Sequence, residues 1–161
     1  ADALRRPVLA SMHNFIFHQK NQLTAGNNGR KDTLMKEIIL IFQLEDSSMK
    51  TAIGQALLPF HVRLKKVEPS EYNKPLGALA GLPGFEADGS AGTYTGAPLP
   101  APMMIFAGLP ENKFDRILRQ LRNHKVILPY KAVLTPTNQA WTPLQCFEEI
   151  KREHESMTRS L

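Results

Sequence analysis

Two runs of five residues, Ile38-Ile39-Leu40-Ile41-Phe42 and Met103-Met104-Ile105-Phe106-Ala107, contain no polar side chain. A strand with one wet face alternates apolar and polar residues, whereas an unbroken apolar run suits a strand covered on both faces. A chain with two such runs must place secondary structure on both sides of a sheet, so the expected class is α/β. Both runs are expected at the centre of one sheet, side by side and parallel.

The remaining elements alternate around these runs. Asp46 and Ser47 can cap a helix that carries Met49, Ile53, Ala56 and Leu57 and stops at Pro59. A second strand is expected from His61 to Val67, a turn from Pro69 to Tyr72, and a short helix from Pro75 to Leu82 that ends at Gly81 and Gly84. Residues 83–101 form a Gly- and Pro-rich connection. The pattern then restarts: strand Met103–Ala107, helix Glu111–His124, strand Val126–Leu134 kinked at Pro129, and helix from Pro143 to about Met157. Ile39 to Leu44 lines up with Met104 to Leu109, Lys65-Lys66-Val67 with Lys131-Ala132-Val133, and Pro75-Leu76 with Pro143-Leu144. The expectation is a single compact α/β domain over 35–157. It has two βαβα halves, 35–82 and 102–157, related by internal duplication, and a four-stranded, mainly parallel sheet with flanking helices.

Residues 1–34 read as a flexible basic extension, in which Met12, Phe15, Ile16, Gln19 and Leu23 have the spacing of one amphipathic helix. They hold five Lys/Arg against two Asp/Glu, while residues 35–161 hold fifteen against thirteen. The net charge of +5 therefore sits largely on the extension, and the body is too near neutrality to favour phosphate binding. Cys146 is the single cysteine, which excludes an intrachain disulfide and suits a reducing, cytoplasmic setting. No apolar run approaches the roughly 20 residues that span a bilayer. Arg5-Arg6 is followed by an apolar stretch that His13 and Asn14 interrupt too early for an export signal.

The segments Pro102–Leu109, Lys131-Ala132-Val133-Leu134-Thr135-Pro136-Thr137-Asn138 with Trp141, and Glu149–His154 resemble a small bacterial family of unknown function. The family's C-terminal pattern is Lys-Ala-x-Leu-Thr-x-x-Asn-x-x-Trp, and Tyr72–Gly81 looks like its first half. The resemblance covers about residues 35–157. It implies the domain boundaries and no activity, cofactor or catalytic residue.

Chemistry concentrates where the last expected strand ends. Lys131 is a lysine within an apolar strand, followed by Thr135, Thr137 and Asn138 and closed by the only tryptophan, Trp141. A lysine so placed either extends its head to water or a carboxylate, or holds an anion or acts as an amine nucleophile. Thr-Pro-Thr-Asn is also good turn chemistry, and a single Trp commonly plugs a core. Thr142-Pro143-Leu144-Gln145 fits a helix capping box. The five histidines lack metal-ligand spacing, no dinucleotide or phosphate-loop signature follows a strand, and neither metal nor cofactor is expected. The reading is a small cytoplasmic binding or regulatory module. Its site lies at Lys131–Trp141 and takes a small anionic ligand or a protein partner. The enzyme alternative uses Lys131 with Thr135, Thr137 and Asn138 as an anion or carbonyl site. A nucleic-acid alternative uses the outer face of the helix at 111–125, with Lys113, Arg116, Arg119 and Arg122.

Overall fold

The computed structural model describes residues 36–85 and 92–159, so the expected N-terminal extension lies outside the described residues. The elements are β1 (Ile38–Phe42), α1 (Ser47–Leu57), β2 (Arg63–Val67), α2 (Leu76–Leu79), β3 (Met103–Ala107), α3 (Glu111–Asn123), β4 (Tyr130–Val133) and α4 (Pro143–Arg159). They build one four-stranded sheet in the order β2-β1-β3-β4. Every residue of β1 and β3 is buried, as the two apolar runs require.

The two central strands are neighbours, but they are antiparallel, which corrects the expected parallel pairing. Leu40 faces Ile105 across the centre, with Ile38 opposite Ala107 and Phe42 opposite Met103. The outer pairs, β1–β2 and β3–β4, are parallel. The length of the helix within each connection, and the point at which the long β2–β3 connection is held, explain the difference. A strand of five residues spans about 17 Å. Helix α1, with 11 residues, and α3, with 13, reach about 16–20 Å and return the chain to the starting end of the sheet. Helix α2 has only 4 residues, about 6 Å, and does not make that return. The Tyr94 amide donates to the Ser70 carbonyl at 3.0 Å, which holds the following segment near the end of β2. The chain therefore enters β3 from the end at which it left β2.

Alternation along the strands divides the core between two faces. Ile39, Ile41, Met104 and Phe106 pack with Ile53 and Leu57 of α1 and with Phe114, Ile117 and Leu121 of α3. Ile38, Leu40, Phe42, Met103 and Ile105 pack with Leu76 and Leu79 of α2 and with Cys146 and Phe147 of α4. Tyr72 is fully buried on this second face, its ring between those of Phe42 and Tyr94 and its hydroxyl donating to Gln43 Oε1 at 3.0 Å.

Several element ends have local causes. Asp46 caps α1 by accepting from the Ser48 and Met49 amides. β2 starts at Arg63 and not at His61, because His61 has φ +53° after a 3-10 turn over Leu58–Phe60. Gly81, at φ +75°, follows the end of α2, as the sequence suggests. β4 contains only Tyr130–Val133: Pro129 offers no amide, and Val126 and Leu128 turn into the first core while Ile127 is exposed.

Candidate functional site

The turn after β4 is built by one side chain. Asn138 is 6% exposed and Thr135 2%. The Thr135 amide donates to Asn138 Oδ1 at 2.8 Å, and Asn138 Nδ2 donates to the Val133 carbonyl at 2.9 Å. The Asn138 amide donates to Thr135 Oγ1 at 3.3 Å. The Leu134 amide donates to Phe106 of β3, so the alternate residues Val133 and Thr135 present their backbone groups at the free edge of the sheet. Asn138 occupies that edge, and its carboxamide makes the two bonds that one residue of a further parallel strand would make. Covered edges suppress pairing with other chains.

The same turn joins the two halves. The Gln139 carbonyl accepts from Gly77 and the Trp141 carbonyl from Leu76, both at 2.8 Å, which satisfies two amides at the start of α2. Thr142 and Gln145 then form the expected capping box of α4: the Thr142 amide donates to Gln145 Oε1 at 3.0 Å and the Gln145 amide to Thr142 Oγ1 at 3.3 Å.

A cleft of about 360 Å³ opens beside this turn, between β4 and α4. Ala132, Trp141, Cys146 and Ile150 supply apolar walls, and Asn138 lines the cleft together with Glu149, Arg152, Glu153 and Ser156 of α4. Arg152 pairs with Glu149 at 3.0 Å. Burial, and then the neighbouring Glu149 charge, holds the Glu153 carboxyl above the usual carboxylate range. Burial pushes the Cys146 thiol up to about 12, with Glu149 adding to it, so the thiol stays protonated and is no nucleophile at neutral pH.

The five residues singled out in the sequence do not converge on this cleft. Asn138 and Trp141 line it. Thr135 is buried within the turn, and Thr137 is exposed at its tip. Lys131 belongs to the opposite face of the sheet. Tyr130 and Ala132 pack with the α4 side, Val133 packs with the α3 side, and Lys131 shares the face of Val133. Burial lowers the Lys131 pKa, and the Arg122 guanidinium of α3 lowers it further. Its unfolded pKa exceeds its folded one, so this group disfavours folding below the folded value, and the penalty fades as pH rises toward the ordinary lysine range. Replacing Lys131 by Met should therefore raise stability at pH 7 by about 1 kcal/mol, a shift of a few degrees in Tm. Denaturation of Lys131→Met at pH 7 checks this, and a loss of stability contradicts it.

Sequence reading missed Ala132, Glu149, Ile150 and Glu153 as cleft residues. One signal was present: Glu149 and Glu153 are like charges at i, i+4, an unfavourable pair on a plain solvated helix. The basic face of α3 is partly engaged. Lys113 pairs with Glu37, and the Arg116 guanidinium lies 5.5 Å from the centre of the Phe60 ring. Among the described residues, no group of three or more His, Cys, Asp or Glu is placed to hold a metal ion, and no helix is long and apolar enough to cross a membrane.

With this geometry in place, comparison with known proteins adds one finding. A domain of unknown function, DUF3783, is found at residues 102–157, the half that contains β3, α3, β4, the Asn138 turn and α4. No curated protein matches the chain. No solved structure matches it.

Proposed function

We propose that this protein is a small binding module whose site is the cleft between β4 and α4, walled by the turn that carries Asn138 and Trp141. The observation that carries this reading is the union of an apolar wall, including the only tryptophan, with partly buried charge on one helix. Binding sites combine apolar area with a few placed polar groups in this way. Within the proposal, Asn138 shapes the turn and Trp141 supplies contact area, while Thr135 and Thr137 belong to the turn and Lys131 stands apart. This arrangement gives less support to an enzyme using Lys131 with Thr135, Thr137 and Asn138. The pairing of Lys113 and the stacking of Arg116 likewise give less support to a nucleic-acid surface on α3.

The proposal includes a duplicated origin for the two halves. Its support is that each half is a parallel βαβ unit with a following helix, and that the halves meet through the corresponding residues Leu40 and Ile105. It also includes bacterial origin, from the resemblance above, and a cytoplasmic location, for which the buried free thiol of Cys146 is the support.

Titration with a small apolar probe, 1-pentanol, followed by Trp141 fluorescence, tests the site. A saturable change that disappears in Ala132→Leu, which fills the cleft, is the expected outcome. A change that survives in Ala132→Leu places the binding elsewhere.

A further inference from the structure

The two halves treat the same position differently. Leu40 and Ile105 face each other at the centre of the sheet, and Lys65 pairs with Leu40 as Ala132 pairs with Ile105. Lys65 and Ala132 are thus corresponding residues, one strand outward on either side and on the same face of the sheet. In the first half, the Lys65 chain runs from β2 toward α2. Its ammonium donates to the Leu79 carbonyl at 3.3 Å and lies 4.0 Å from the Glu71 carboxylate. In the second half the corresponding residue is alanine, and the space beside it is the cleft. The helix above is also longer: α4 runs on to Arg159, where α2 ends at Leu79.

From this correspondence we infer that the cleft takes an alkylammonium group, a primary amine on an unbranched apolar stem, in the place that Lys65 fills from within in the first half. The inference rests on the proposed binding function and names its ligand class. Charge supports it. Arg152 engages Glu149, and no cation pairs with Glu153 among the described residues. A half-buried carboxylate beside a second carboxylate is disfavoured as an anion, and an ammonium between them relieves both burial and repulsion. The apolar wall of Ala132, Trp141, Cys146 and Ile150 suits the methylene stem. An anionic ligand, by contrast, would meet two carboxylates and one arginine already paired.

Three probes with the same stem and different heads, pentylamine, 1-pentanol and pentanoate, separate the claims when titrated into the full chain at neutral pH with Trp141 fluorescence as readout. The expected result is saturable binding of pentylamine about tenfold tighter than 1-pentanol, with pentanoate weakest, since one charge-assisted contact at a partly exposed site is worth roughly that factor. Glu153→Gln should bring pentylamine down to the level of 1-pentanol measured on the same variant. Ala132→Lys should fold, place its own ammonium in the cleft as Lys65 does, and abolish pentylamine binding. Equal binding of amine and alcohol, or an amine preference that survives Glu153→Gln, overturns the inference and leaves the binding module standing. If none of the three binds saturably, both are overturned. If the amine preference holds, Nα-acetyl-lysinamide identifies the source. Binding comparable to pentylamine places the amine on a lysine of a protein partner, and a loss of about tenfold or more places it on a free alkylamine.

Discussion

Asn138→Ala should lower the stability of this protein by about 3 kcal/mol, because two backbone groups lose their partner at once and each such loss costs about 1–3 kcal/mol where water enters poorly. The Thr135 amide is the more serious loss, since Thr135 is 2% exposed; the Val133 carbonyl lies at the sheet edge. Domains of this size have about 5–15 kcal/mol in total, so the urea midpoint should fall markedly. Asn138→Asp is the informative control. It keeps an acceptor for the Thr135 amide but sets a carboxylate oxygen against the Val133 carbonyl, so it should be about as damaging as alanine. A mild Asp variant beside a damaging Ala variant would show that only the Thr135 bond matters. Loss of the carboxamide also uncovers the edge of β4, so Asn138→Ala should self-associate with rising concentration in sedimentation experiments.

Gly77→Ala carries the second large effect, about 2 kcal/mol of destabilisation, within the 1–3 kcal/mol typical of overpacking. An added Cβ would sit 2.9 Å from the Phe85 ring and 3.1 Å from the Gln139 carbonyl oxygen. That oxygen is the acceptor of the Gly77 amide, so moving α2 away to admit the methyl also stretches the bond that joins the halves. Gly54→Ala is the matched control in α1. A Cβ there meets nothing within 4 Å, and the change should raise stability by about 0.5–1 kcal/mol through helix propensity alone. Thermal or urea denaturation of the two variants should give shifts of opposite sign.

The sheet was legible because burial on both faces leaves short unbroken apolar runs, and those of β1 and β3 are too short for buried helices. The caps at Asp46 and Thr142 were legible because they depend on neighbours in sequence. The direction of β3 was not, because it depends on whether the chain returns along the sheet between β2 and β3. The sequence between them shows a short helix and a Gly- and Pro-rich stretch, and does not show at which end that stretch is held. The sequence match of Lys65-Lys66-Val67 with Lys131-Ala132-Val133 differs by one residue from the strand register, which sets Lys65 beside Leu40, Ala132 beside Ile105, and Leu40 opposite Ile105. A shift of one residue along a strand exchanges its faces. The same parity separates Lys131 from Trp141, so closeness in sequence placed a lysine with a cleft from which the sheet divides it. Ala132 escaped notice because its contribution is the space that a larger side chain would fill.

The proposed site lies on the α4 face of β4, and Lys131 lies on the other. The most direct measurement is a two-dimensional amide and indole NMR titration of the full chain with pentylamine. Binding in the cleft between β4 and α4 should give saturable shifts at the Trp141 indole and at the amides of Ala132, Ile150 and Glu153, with Arg119 and Arg122 on α3 unmoved. Shifts centred on Arg122 and the α3 face, with the Trp141 indole silent, would contradict it and return the site to Lys131.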